Sequence, residues 1–258
     1  MARMTLSVVL ATHNEEENLP GCLDSVRNLA DEIIIVDGSS MDRTVEIAKK
    51  YGAKIKITTN KPNFHINKQM AIDMATGDWI LQLDADEKVS PELVQEIKSE
   101  IRNPKSEING YWMPRKNWFL GRFLMKGGQY PDYTLRLYRK GKGRLPQAHV
   151  HEQAEVMGRV EYLKQALLHY PYKNFASYLL KWNRYNDLLV MQIKESLENK
   201  NFIAKIGYGI GYSIIKPAHW FLTTYIRHKG FVDSWSGFIF SLFSALRFPV
   251  SYIRYLSL

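Results

Sequence analysis

The sequence predicts an α/β protein: a Rossmann-like, mostly parallel sheet with helices on both faces, followed by a C-terminal helical extension. Two observations predict the sheet. Short runs that are apolar throughout alternate with segments of helical spacing over the first hundred residues, as in strands buried on both faces. Each run also ends in a polar cluster, and ligands of open parallel sheets bind beyond the carboxyl ends of the strands. The charge distribution sets the extension apart. Residues 1–158 carry 22 Lys+Arg against 21 Asp+Glu, whereas residues 159–258 carry 13 against 5, so +8 of the net charge of +9 belongs to the C-terminal part.

Taken in order, Leu6–Ala11 is a β-branched apolar run, and Leu19–Leu29 has helical spacing through Leu19, Leu23 and Val26. Ile33–Val36 is a second buried strand that stops at Asp37-Gly38. Ser39, Ser40 or Asp42 can cap the helix Arg43–Tyr51, which Gly52 closes. Lys54–Thr58 is a third strand, Asn67–Ala75 a helix and Trp79–Leu83 a fourth strand. Ser90 with Pro91 starts the helix Glu92–Ile101. His13-Asn14-Glu15, Asp37-Gly38-Ser39 and Asp84-Ala85-Asp86 all fall at strand ends. After Asn103-Pro104 the texture changes to strands at Gly110–Phe119, Tyr133–Arg139 and Val160–His169, separated by glycine-rich and basic loops. A long amphipathic helix follows at Tyr172–Glu198. The predicted domains are 1–170, with halves 1–103 and 104–170, and the extension 171–258.

The extension is dense in aromatic residues and broken by Lys205, Lys216, Pro217, Arg227, Asp233, Arg247 and Pro249. No run in it reaches the roughly 18–20 apolar residues of a spanning helix. Aromatic and basic residues together suit helices lying in a membrane interface. The alternative is a helical subdomain packed on the core or on a second protomer.

Composition narrows the function. A hydrophobic fraction of 45% excludes a disordered chain. Cys22 is the single cysteine, so no intrachain disulfide and no multi-cysteine zinc site exists, and a free buried thiol is expected. The N-terminus has a short apolar run that soon meets His13 and three glutamates, which reads as a first strand of a protein on the cytoplasmic side. No G-x-G-x-x-G follows that strand, which disfavours a dinucleotide-binding dehydrogenase. No motif accompanies the basic residues that would indicate nucleic-acid binding.

The stretch WILQLDADEKVSPEL poses the chemical question: a buried strand runs straight into Asp84, Asp86 and Glu87. Like charges this close repel, so positive charge is expected among them. Paired carboxylates around one small residue suit Mg²⁺ or Mn²⁺, which takes one or two protein carboxylates and completes its shell with phosphate oxygens. The sequence reading therefore places an ion carrying a diphosphate here.

SVVLATHNEEENLPGCLDSV, IIIVDGSSMDRTVEIA and KQMAIDMATGDWILQLDADE together resemble the nucleotide-sugar domain of family 2 glycosyltransferases, the GT-A fold. HVHEQ, KGGQYPDYTLRLYRK and KGFVDSWSGFIFSLFSAL resemble the bacterial branch that includes lipopolysaccharide-core β-1,4-glucosyltransferases. The resemblance implies an inverting, metal-dependent transfer from a UDP-sugar to a glycolipid or lipopolysaccharide-core acceptor, for which glucose onto heptose is suggested. It implies residues 1–103 as the nucleotide half and 104–170 as the acceptor half. Thr12 and Glu15 would contact the uridine and Asp37 the uracil N3–H. Lys68 would reach the base or diphosphate, Asp84 the ribose and Asp86 the cation. Singly, Asp37 can equally cap a turn and Lys68 can be a solvated helix charge.

Glu152 falls where the family's acceptor-side acid lies and is the candidate base, with Asp132 the rival. Here Glu152 is followed by Gln153 rather than the aspartate of many relatives. His149 and His151 line the acceptor side or form a strand's polar edge. Arg136, with Arg139, Lys140, Lys142 and Arg144, either captures an anionic acceptor or diphosphate or forms a solvated edge. The implied partners are a UDP-sugar, a glycolipid, the inner-membrane surface, where the protein would be peripheral, and a second copy through the C-terminal helices. Transfer to a polyprenyl phosphate and nucleotidyl transfer are the alternatives. The second needs a glycine-rich basic loop after the first strand, where this chain has ATHNEEE.

Overall fold

The computed structural model describes residues 3–102, 107–147 and 153–258. They form two compact units, Met1–Arg115 with Asp132–His169, and Lys116–Pro131 with Tyr170–Leu258.

The first unit opens with β1 (Leu6–Thr12), α1 (Leu19–Val26), β2 (Glu32–Asp37), α2 (Thr44–Lys50), β3 (Lys54–Ile57), α3 (His65–Met74) and β4 (Trp79–Leu83). β3, β2, β1 and β4 lie side by side, all parallel. β1, β2 and β4 are largely apolar because helices cover both faces: Leu10, Leu81 and Leu83 are fully buried, each burial being worth about 1.5–3 kcal/mol. The edge strand β3 instead alternates Lys and Ile and is mostly exposed. Of the three residues predicted to cap α2, Asp42 lies one position before the observed N-cap, Arg43, and its Oδ1 accepts from Thr44 N at 3.0 Å. At the turn into β4, a Cβ on Gly77 would stand 2.9 Å from Ser7 N, so glycine lets this turn lie against β1.

Register places the site. Thr12 is opposite Asp37, and Leu10 is opposite Leu83, so the polar residues after β1, β2 and β4 leave the sheet at one edge.

β5 (Glu87–Val89), α4 (Pro91–Arg102), β6 (Ile108–Phe119), β7 (Arg122–Leu124) and β8 (Asp132–Arg139) follow. Ser90 Oγ accepts from Leu93 N at 3.2 Å and caps α4, as the Ser-Pro pair predicts. β8 is antiparallel to β4, and β6 to β8, so the sheet becomes mixed beyond the parallel half. β9 (Gly143–Arg144) and β10 (Glu155–Val156) make a separate two-stranded ladder. The single strand expected at Val160–His169 is in fact two, β11 (Arg159–Tyr162) and β12 (Leu167–His169). The Glu96 carboxylate accepts from Lys164 N at 2.9 Å and Gln165 N at 2.8 Å, which turns the chain between them. β11 then runs parallel to β6, while β12 pairs antiparallel with β5 and sets His169 opposite Glu87.

In the second unit, Phe119 at the end of β6 packs against Tyr178 with ring centroids 4.8 Å apart. α5 (Phe175–Leu197) starts at Asn174, whose side chain accepts from Ser177 N in a capping box. α6 (Phe202–Ile210) continues through π-helical turns at Gly211–Ile215 and Leu222–Arg227 that flank α7 (Lys216–Phe221). Ile203, Ile206, Ile210, Ile214, Leu222 and Ile226 recur along it, each 49–79% exposed.

α8 (Ser234–Leu256) closes the chain, with Trp182 Nε1 donating to Phe243 O at 2.8 Å. The expectation that no stretch here is long and apolar enough to span a membrane is corrected. Gly230–Leu256 is helical over 27 residues and passes that test by length and composition, with mean hydropathy 1.3 in its best window. Arg247 and Pro249 interrupt the apolar run without ending the helix, so they only dilute the average.

Candidate functional site

The strand ends of the first unit gather an ion-pair network around β4. Asp84 follows β4 directly, and its carboxylate is clasped between Lys68 of α3 and Arg136 of β8. Arg136 Nη2 lies 2.7 Å from Asp84 Oδ2 and 3.0 Å from Glu87 Oε1, while Nη1 donates to Gln82 Oε1 at 2.7 Å. Arg115 of β6 donates from Nη1 to Glu87 Oε1 at 3.2 Å and from Nη2 to Asp132 Oδ2 at 2.7 Å. Glu87 is fully buried, and its other oxygen accepts from Asp84 N at 2.9 Å.

Burial acts against the charge on Asp84, but Arg136 and Lys68 outweigh it and hold its pKa well below the ordinary carboxylate range. Burial likewise acts against the charge on Arg136, and Asp84 with Glu87 raises its pKa above the usual guanidinium value.

This network answers the question posed by the acidic stretch. The charge that offsets Asp84 and Glu87 is the protein's own, supplied by Lys68, Arg115 and Arg136. The expectation that an ion with its diphosphate neutralises the whole cluster is corrected to that extent. Asp86 stands apart: its Oδ2 lies 3.4 Å from His169 Nε2, and both side chains remain partly exposed. Among the described residues no three His, Cys, Asp or Glu side chains gather as a metal cage. A carboxylate and an imidazole fit a divalent ion whose remaining positions go to phosphate oxygens and water.

At the neighbouring strand ends, Thr12 Oγ1 donates to Asp37 Oδ2 at 2.8 Å. Asp37 also accepts from Ser40 N at 2.8 Å and Ser40 Oγ at 2.6 Å. The buried carboxylate therefore caps its own turn, and three of its four or so acceptor sites are taken. Glu15 N donates to Thr44 Oγ1 at 2.7 Å, and Glu15 Oε2 accepts from Asn18 Nδ2 at 2.8 Å. Cys22 is buried and free, with Sγ 3.6 Å from Asp84 O. Burial, then the charges of Glu87, Asp84 and Asp86, push its thiol pKa up, so it stays protonated against the acids.

Of the residues that the sequence singled out, the structure links Lys68, Asp84, Arg136 and Asp132 through one network, joins Thr12 to Asp37, and places Asp86 beside His169. His149, His151 and Glu152 lie outside the described residues. Arg136 is buried with its two terminal nitrogens on Gln82, Asp84 and Glu87, and Arg139 Nε donates to Ile108 O at 2.8 Å. Sequence reasoning missed the roles of Gln82, Arg115 and His169. No local signal marks them, since His169 reaches Asp86 only through the β5–β12 pairing.

The family profile described as "Glycosyl transferase family 2" matches residues 7–165. The lipopolysaccharide core biosynthesis glycosyltransferase LpsC of Rhizobium meliloti is 28% identical over 259 residues, covering 95% of this chain and 92% of that protein. A TPR repeat-containing protein of Synechococcus elongatus is 42% identical over 106 residues, which is 41% of this chain and 26% of that protein. Among solved structures, S. aureus TarS 1–349 superposes with a TM-score of 0.48 at 15% identity, over 97% of this chain and 92% of the other. With the family profile covering well over half of its length, the chain belongs to glycosyl transferase family 2.

Proposed function

We propose that the protein is an inverting, metal-dependent glycosyltransferase that moves a sugar from a UDP-sugar to a glycolipid or lipopolysaccharide-core acceptor at the inner face of the membrane. The observation that carries this reading is the convergence of Thr12, Asp37, Lys68, Asp84 and Asp86 on the carboxyl edge of β1, β2 and β4, where α/β sheets bind nucleotides. In this reading residues 1–103 hold the nucleotide and residues 104–170 the acceptor. The similarity to LpsC supports the class of acceptor.

Asp37, with Thr12 and Glu15 beside it, receives the uridine. Lys68 and Arg136 hold Asp84 rigid and charged, so that it accepts from the ribose without reorganising. Asp86, with His169, would hold Mg²⁺ or Mn²⁺. The bound ion would offset charge on the departing diphosphate. Glu152 takes the proton from the acceptor hydroxyl, with Asp132, which pairs with Arg115, as its rival for that role. The exposed apolar stripe along residues 203–226 and the excess of basic residues in 159–258 support attachment to an anionic membrane surface.

The test is thermal unfolding of the full chain against a panel of nucleotide sugars, with and without Mg²⁺ or Mn²⁺. A UDP-sugar that raises the Tm only with the ion is expected, because ligand binding to the native state adds stability. Equal protection by NTPs, with pyrophosphate release, would replace transfer by nucleotidyl transfer.

A further inference from the structure

Arg247 of α8 is a cation with no counter-charge among the described residues. Its guanidinium carbon lies 4.7 Å from the Trp220 ring centroid and 4.8 Å from that of Phe248. Its Nε is buried without a hydrogen-bond partner. Burial lowers its pKa from the ordinary guanidinium value, and the groups that counter this are the phenols of Tyr212 and Tyr178. Among the described residues no carboxylate pairs with it. Other arginines of the second unit differ: Arg254 pairs with Asp187 at 2.7 Å, and Arg122 reaches Asp233 at 3.5 Å. Two aromatic faces offset part of the cost of desolvating Arg247. Ring faces take no in-plane N–H, so the terminal guanidinium nitrogens, which unlike Nε are not among the buried unpaired atoms, remain to meet an acceptor.

The guanidinium borders a cavity of about 330 Å³, also lined by Gly127, Gly128, Trp220, His228 and Ser244. The wall opposite α8 comes from the KGGQYPD loop. Gly127 and Gly128 have φ of +66° and +75°, and Gly127 N donates to His228 O at 2.9 Å. A Cβ on Gly128 would meet His228 Nδ1 at 3.2 Å in a backbone conformation that side chains rarely adopt. The double glycine thus lets the loop run close to the imidazole and keeps the cavity open. Gln129, Thr223, Thr224, Ser244 and His228 bring hydrogen-bonding groups beside the Arg247 cation, and among the described residues no acid lines the cavity. That chemistry selects an oxyanion.

We propose that this cavity binds the phosphate oxygens of a phosphorylated ligand, with Arg247 as the forked donor and Ser244 and His228 as further hydrogen-bonding contacts. The neighbouring turns expose Leu222 and Ile226, so a lipid headgroup and a soluble phosphate ester share the required chemistry. That the ligand is the acceptor rests on the transfer reading above; that the cavity takes phosphate does not.

The test uses the full chain in two arms. Thermal unfolding is followed with inorganic phosphate and with glycerol phosphate, and co-sedimentation with phosphatidylcholine vesicles with and without phosphatidic acid. Wild type is expected to bind phosphate, and Arg247→Gln to weaken this about tenfold or more. Arg227→Gln, a basic change outside the cavity, leaves phosphate binding unaltered. Because Arg247 also packs on two rings, Ser244→Leu fills the cavity independently and decides the matter if Arg247→Gln fails to fold. Binding of phosphatidic acid alone assigns a lipid headgroup, and binding of the free esters assigns a soluble one. Wild-type affinity in both variants, or no binding of either source by wild type, overturns the proposal. Protection by a UDP-sugar, measured on the same samples, is unchanged by Arg247→Gln, so failure here is distinguishable from failure of the transfer reading.

Discussion

Arg136 Nη2 stands 2.7 Å from Asp84 Oδ2, an ion pair between side chains 52 positions apart in sequence. It ties the antiparallel strand β8 to the end of β4, at the edge where the parallel half of the sheet presents its polar residues. The same guanidinium nitrogen serves Glu87, so this arginine sets the geometry of two of the three acids that close the strand.

Removing that guanidinium leaves Asp84 with Lys68 alone and Glu87 with Arg115 alone. Arg136→Met is expected to destabilise the fold by about 3–5 kcal/mol, as for other buried pairs broken on one side. Urea unfolding measures it. Adding Glu87→Gln to Arg136→Met is expected to restore part of the loss, because one uncompensated charge is removed. No recovery in the double variant would show that the two residues do not share the interaction.

Asp86 has His169 beside it and no cationic side chain within ion-pair distance among the described residues. Asp86→Asn is therefore expected to change stability within about 0.5 kcal/mol, as for a surface substitution. UDP-sugar turnover is expected to fall by about a hundredfold or more, because the leaving-group charge loses its stabilisation. Chelation should reduce wild-type turnover to a similar level and leave Asp86→Asn nearly unaffected. Wild-type turnover in Asp86→Asn would remove the metal from the proposed chemistry.

Glu32 supplies part of the acid-side pH dependence, beside Asp84. Burial acts to raise its pKa, but Lys54, Ser7 and Thr76, which donate to its carboxylate, bring it down from 4.5 to about 2. A carboxylate lowered in the folded state binds fewer protons than in the unfolded chain. Its stabilisation is thus complete above pH 4.5 and lost as the pH falls towards 2. Glu32→Gln is expected to cost about 1–3 kcal/mol at neutral pH. It should also flatten the stability profile between pH 4.5 and 2, read by urea midpoints across that range. An unchanged slope would assign the acid limb to other carboxylates.

The exposed isoleucines predict an attachment surface. Ile206, Ile210 and Ile214 are 49%, 50% and 64% exposed, so replacing all three with serine removes little packing. Co-sedimentation with anionic vesicles is expected to drop severalfold, following the lost apolar area, while the Tm shifts little. Undiminished sedimentation would move the membrane contact to another face.

Much of the first unit was legible because β1, β2 and β4 are apolar on both faces and Ser90 caps α4. Ser90-Pro91, Asp42 and Gly52 mark ends that depend on nearest neighbours alone. The break between β11 and β12 was not legible, since Glu96 makes it from 68 and 69 positions away. The same holds for the site. Asp37, Asp84 and Asp86 could be placed at strand ends from pattern, because strand polarity sets which end faces the ligand. Arg115 and His169 reach it only through antiparallel pairings that no local signal encodes.

The amino-acid order determined the alternating α/β plan, the edge of the sheet where the acids emerge, and the basic, aromatic character of the last hundred residues. These follow from short-range periodicity and the cost of burying polar groups. The tertiary structure decided which charges answer which. It gave Asp84 and Glu87 partners within the protein, left Asp86 beside an imidazole, and left Arg247 with no carboxylate among the described residues. Coulombic pairing depends on distances of a few ångströms between residues far apart in the chain, so it is set when strands and helices dock.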